Sequence, residues 1–125
     1  MKLNQDCIRD LLLYLEDNLS YKNDININSL KLNNYTEEEL VYTAERLMEA
    51  NFLSCLTAKG FDIPVIIARN ITYNGHQFLE NIRDDGVWKE TKKVASKVAS
   101  ASIQIISNIA AQVITNIISK EMGLN

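Results

Sequence analysis

The chain has 125 residues, a formal net charge of −3, and 46% hydrophobic and 23% charged residues. That balance suits one globular domain with its own core, and it excludes a disordered chain or a small scaffold dependent on disulfide staples. Charge is unevenly spread: residues 1–40 carry 4 Lys/Arg against 8 Asp/Glu, residues 41–80 carry 3 against 4, and residues 81–125 carry 6 against 4. No segment has the cation surplus that marks a nucleic-acid binder by composition.

Residues 4–20 predict an amphipathic helix, with Ile8, Leu11, Leu12, Leu15 and Leu19 at three- and four-residue spacing. Asn4 suits the N-cap, and Asp6 sits in the first turn, where the helix dipole favours an acid. Residues 24–35 are irregular: Ile25, Ile27, Leu30 and Leu32 alternate in places, which fits a short strand or one poor helical turn. Residues 36–50 form the best-defined helix. Thr36 with Glu39 makes a capping box, and Leu40, Ala44, Leu47 and Met48 make the buried stripe. Asn51 falls where a helix ends in the left-handed region.

Phe52, Leu53 and Leu56 continue as a strand, residues 57–60 turn, and a strand over residues 65–71 follows Pro64, where a proline interrupts no needed ladder bond. Thr72 then caps a helix that turns Phe78, Leu79 and Ile82 inward, and residues 83–86 break it. From Val87 a long helix is expected to run nearly to Gly123. This gives a domain over residues 1–86 followed by a C-terminal amphipathic helix over residues 87–125. Trp88 is read as core filling that locks the long helix onto the domain.

Between Lys97 and Lys120 there is no charge for 22 positions, of which 13 are apolar and nine are Ser, Thr, Asn or Gln. Nine polar residues argue against a membrane span, which needs about 20 predominantly apolar residues. Ile103, Ile106, Ala110, Val113 and Ile117 recur as an a/d seam does, so the expectation is a homodimer helix or packing across the domain. No membrane association is expected. Cys7 and Cys55 read as buried reduced thiols, although a disulfide stays open. The first residues have no apolar leader pattern, which points to the cytoplasm.

The order helix, strand, helix, strand, hairpin, strand, capped helix resembles a winged helix-turn-helix domain. Residues 45–53, Glu-Arg-Leu-Met-Glu-Ala-Asn-Phe-Leu, are similar to the end of a winged-helix recognition helix, with Asn51 in place of the usual Gly. Residues 71–79, Ile-Thr-Tyr-Asn-Gly-His-Gln-Phe-Leu, are similar to the phrase that follows the wing. The whole chain resembles the domain-of-unknown-function family 2513. That resemblance rests on Met1-Lys2-Leu3-Asn4, Ile8-Arg9-Asp10, the phrase from Gly75 to Trp88, and the ending Gly123-Leu124. The sequence departs from that family at Thr43, where His is frequent, and at Tyr73, where Trp is common. The resemblance implies a mostly helical α+β fold and a Firmicute or phage setting, and it carries no activity.

The outward face of the 36–50 helix holds Glu37, Glu38, Tyr42, Glu45, Arg46 and Glu49. DNA affinity comes chiefly from neutralised phosphates, which this face opposes. The residues expected to contact DNA or a protein partner are Thr36, Glu38, Tyr42, Arg46, Lys59 and Arg69. Lys89, Lys92, Lys93 and Lys97 read as a solvated helix face. His76 with Cys7 or Cys55 matches no nucleophile motif, and one His with two distant Cys makes no metal site. The expectation is a non-enzymatic regulator without cofactor, metal or small-molecule substrate. It either touches DNA or binds a host or phage protein through its acidic face.

Overall fold

A computed structural model describes residues 1–98 and 101–123. The fold is α+β: five helices and a three-stranded antiparallel sheet, ending in a long C-terminal helix. It divides into two compact units, Met1–His76 and Gln77–Asn125, so the division falls before Gly86.

In the first unit, α1 (Gln5–Asn18) starts at Asn4, whose side chain accepts from the Cys7 backbone N–H, and buries Cys7, Ile8, Leu11, Leu12 and Leu15. The irregular stretch holds both structures its pattern allowed. A two-residue strand, β1 (Ile25–Asn26), runs into a single 3-10 turn (Ile27–Ser29), where the Asn26 side chain accepts from Asn28 N at 2.9 Å. Helix α2 (Glu37–Glu49) packs against α1 and against the 3-10 turn. Leu40, Val41, Ala44 and Leu47 are buried along it. Thr43 is buried with them, its hydroxyl donating to Glu39 O at 2.7 Å.

The capping box at the start of α2 is complete. Thr36 Oγ1 accepts from Glu39 N at 3.1 Å, and a Glu39 carboxylate oxygen accepts from Thr36 N at 3.1 Å. The Thr36 backbone N–H, then the Asn4 amide, hold the Glu39 carboxyl below its ordinary 4.5. A lowered folded-state pKa contributes stability above that ordinary value, and the contribution disappears as pH falls through the folded value. Thr36→Ala is expected to cost about 1 kcal/mol in urea unfolding at neutral pH. The penalty of Glu39→Ala should fade on acidification below 4.5.

Asn51, with φ 65°, turns the chain out of α2. Strand β2 (Leu53–Ala58) then pairs antiparallel with β3 (Val65–Ile71), giving the sheet order β1-β3-β2. Ile25 faces Ala68, Leu56 faces Ile67, and the ladder is irregular between Ser54 and Cys55. β3 is the central strand and buries Ile66, Ala68 and Ile71. Thr72 caps α3 (Tyr73–Ile82): its hydroxyl accepts from Gly75 N at 3.0 Å and donates to Asn51 O at 2.6 Å.

The second unit corrects one expectation. No single helix runs from Val87 to Gly123. Helix α4 (Asp85–Ala95), capped by Asp84, and α5 (Ile103–Glu121), capped by Ser102, are separate and pack against each other. The Ser96 hydroxyl donates back to Lys93 O at 2.7 Å, and Ser102 accepts from Ile105 N at 3.2 Å, so hydroxyls both close α4 and open α5. Folding back lets Val87, Trp88, Thr91 and Ala95 of α4 and Ile103, Ile106, Ala110 and Val113 of α5 become buried. A straight helix would leave both stripes in water. Ala99 and Ser100, which the continuous helix would have crossed, and Leu124 of the Gly-Leu ending lie outside the described residues.

Candidate functional site

The outward side of α2 is acidic. Glu37, Glu38 and Glu49 are exposed and Glu45 is half-buried. Three consecutive acids in the first turn also favour the positive end of the helix dipole, so part of this charge supports the helix itself. Of the predicted contact residues on α2, Thr36 is occupied by the cap. The Tyr42 hydroxyl donates to Met1 O at 3.3 Å. Arg46 lies over the Tyr42 ring, its guanidinium carbon 4.6 Å from the ring centre, and binds Glu49 at 2.8 Å. Its Nε is buried with no hydrogen-bond partner among the described residues. Arg46 is thus stacked and neutralised, which leaves the face negative. Glu38 is unobstructed.

Lys59 and Arg69 lie elsewhere. Lys59 is exposed in the connection between β2 and β3. Arg69, on β3, sits 3.8 Å from Asp24, with both side chains well exposed. Such an exposed pair contributes little stability. It lines an open groove of about 770 Å³ with Glu16, Ser20, Ser54 and His76 over an apolar floor that includes Leu15 and Ile71. The groove gathers His, Ser and Asp, but among the described residues no hydrogen bond links His76 to a hydroxyl or thiol. A relay for nucleophilic attack needs that link.

The two thiols are free. Burial pushes Cys7 up to about 11, against the lowering bond from Thr43, and burial does the same to Cys55. Neither supplies a thiolate near neutrality. Burial also raises Tyr35, assisted by the hydrogen bond from its hydroxyl to Asp10 at 2.7 Å. Among the described residues no group of three or more His, Cys, Asp or Glu could hold a metal ion, and no helix is long and apolar enough to cross a membrane.

Sequence reasoning missed the residue that ties this surface together. The Asn28 amide nitrogen donates to a Glu37 carboxylate oxygen at 3.0 Å and to Pro64 O at 2.8 Å, while Asn28 Oδ1 accepts from Ile66 N at 2.9 Å. One side chain therefore fastens the base of the β2–β3 hairpin beside the start of α2. No local pattern announces such a clamp. Phe61, fully exposed on that hairpin, was also passed over. Its signal was available, since an aromatic between Gly60 and Asp62 in a turn has no core face to occupy.

The predicted dimer seam is placed in the second unit. Ile103, Ile106, Ala110 and Val113 are buried within the chain, and only Ile117 of that set remains 44% exposed. The opposite side of α5 carries Gln104–Asn108 and Gln112–Asn116 amide bonds at 3.1 and 3.0 Å. On α4, Lys89 and Lys93 are exposed, as is Lys97 just past its end, and Lys92 lies over Trp88 with its nitrogen 5.8 Å from the ring centre.

Fold and surface together define a small α+β protein with an acidic helix face beside a hairpin. The chain belongs to the family described as "Hypothetical protein (DUF2513)", whose profile matches residues 2–102 and so stops just before α5. It is 28% identical over 120 residues to a protein of Haemophilus influenzae described as "Uncharacterized protein", a match covering 95% of this chain and 100% of that one. No solved structure matches the chain.

Proposed function

We propose that the chain is a non-enzymatic regulatory protein of winged-helix type that acts by binding another protein, not DNA, through the acidic face of α2. The winged-helix reading is supported by the order α1, β1, helical turn, α2, β2, β3 and by the sheet order β1-β3-β2, with α2 in the recognition position and the hairpin as the wing. The observation that carries the choice of partner is the state of α2: Glu37, Glu38, Glu45 and Glu49 face outward, and Arg46 is paired with Glu49. A duplex presents a dense row of phosphates, and its binder must neutralise several of them. A basic protein surface meets the opposite requirement.

The winged-helix topology with Lys59 on the wing favours DNA as the second reading. Electrophoretic retardation of random and neighbouring-gene duplexes at low salt separates the two. No retardation is expected at micromolar protein, and retardation that weakens steeply with salt would establish DNA binding instead. Two free cysteines suit a reducing compartment, so the protein is proposed to act in the cytoplasm. The Firmicute and phage resemblance suggests a mobile-element regulator, which neighbouring genes would test.

Self-association is proposed through the end of α5, where Ile117, Ile118 and Met122 are 44%, 51% and 65% exposed. Light scattering should report twice the chain mass of 14.2 kDa, and Ile118→Glu should return it to monomer. A monomeric wild-type chain removes the dimer.

A further inference from the structure

We infer that Phe61, at the tip of the β2–β3 hairpin, is the apolar anchor by which the acidic surface beside it holds a basic, apolar-striped segment of a partner protein. This rests on the reading that α2 meets a protein, and it names which residue grips and what is gripped.

The tip is built to hold one shape. A Cβ on Gly60 would lie 1.8 Å from Ile63 O, so the chain doubles back on itself where only glycine fits. Just beyond it, Pro64 O is held by Asn28, the same amide that binds Glu37. Phe61 is therefore carried on a braced turn, three residues before the Pro64 carbonyl that Asn28 ties to Glu37 at the acidic start of α2. A large apolar side chain fully in water gives the monomer no burial energy. On a pre-organised turn it can enter a pocket with little ordering cost, as interface anchors do.

Charge chooses the occupant. Lys59 and Asp62 flank Phe61 with opposite signs, so Glu37 and Glu38 set the local field. That field repels phosphates, whether of a duplex or of an anionic lipid surface, and attracts Lys and Arg around an apolar centre.

The test uses the full chain labelled with 4-fluorophenylalanine. Its three Phe are Phe52, Phe61 and Phe78, of which Phe52 and Phe78 are buried. The probe is a Lys/Leu peptide with leucines at three- and four-residue spacing. Controls are the same peptide with Ser for Leu, its Glu/Leu counterpart, and phosphatidylglycerol vesicles. The Lys/Leu peptide should shift the exposed fluorine resonance and leave the two buried ones in place. Phe61→Ala, which removes no buried contact, should weaken binding about thirtyfold, and Glu37→Gln/Glu38→Gln should weaken it too. The controls should bind far less.

The anchor is overturned if no peptide binds, if the exposed resonance does not move, if Phe61→Ala binds as the wild type does, or if vesicles or the acidic peptide match the basic one. Binding that responds to the Glu substitutions but not to Phe61→Ala removes the anchor and spares the acidic-face reading. Binding indifferent to both removes the two together.

Discussion

Gly75→Ala is expected to destabilise the first unit by about 3 kcal/mol or more, the cost of forcing atoms into an occupied space. The added Cβ would lie 2.0 Å from Phe52 O, 2.9 Å from Phe52 C and 2.8 Å from Ile71 Cγ2. Phe52 O is not free to yield, because it accepts from Thr72 N at 3.1 Å, and Thr72 is itself fixed to Asn51 O at 2.6 Å. Helix propensity argues the other way. Alanine in place of a helical glycine is worth about 1 kcal/mol in favour of folding. The backbone clash is the larger effect, so the sign of the change is diagnostic. Thermal unfolding followed by tyrosine absorbance should show a midpoint lowered by roughly 10–20 °C. All five tyrosines, from Tyr14 to Tyr73, lie in the first unit. A raised midpoint would mean that α3 does not start against the end of α2 as described.

Ala110→Glu is expected to cost about 3–5 kcal/mol in the second unit, because it buries a carboxylate with no partner provided for it. Ala110 is fully buried in α5, whereas its neighbour Ala111 is exposed. Ala111→Glu should therefore stay within about 0.5 kcal/mol of the wild type. Trp88 is the only tryptophan and lies in the second unit, so its fluorescence in urea reports this unit. The pair of variants tests the helical hairpin itself. Without α4 folded back on α5, positions 110 and 111 would not differ so strongly in the isolated chain.

What could be read from the sequence was what neighbours decide. The Thr36–Glu39 box, the Asn4 and Thr72 caps, the left-handed Asn51 and the strand over residues 65–71 each depend on residues a few positions apart, and all are present. The break between α4 and α5 was not legible. Ala and Ser carry the helical pattern through residues 95–102, and what ends it is the gain from two distant stripes burying each other. The a/d pattern of Ile103, Ile106, Ala110 and Val113 was recognised as a seam, but periodicity cannot say whether a seam faces the same chain or another. The acidic face was visible as a set of residues. That Arg46 would be neutralised by Glu49 and stacked on Tyr42 followed from its helical spacing and could have been anticipated. The Asn28 clamp and the pairing of Arg69 with Asp24 join residues far apart in sequence, and only the fold brings them together.

On the proposed winged-helix reading, an acidic α2 in the recognition position changes what the architecture can do. Asn28 ties the base of the β2–β3 hairpin to the start of α2, and the acidic face of α2 suits cations instead of phosphates. On the proposed reading, regulation proceeds by occupying a basic surface on another protein. The most direct test is photo-crosslinking in cells from benzoylphenylalanine placed at Glu38, which is exposed on the outer face of α2. On that reading, adducts that protease removes and nuclease leaves intact are expected. Adducts that nuclease removes, or no adduct at that position, would contradict it.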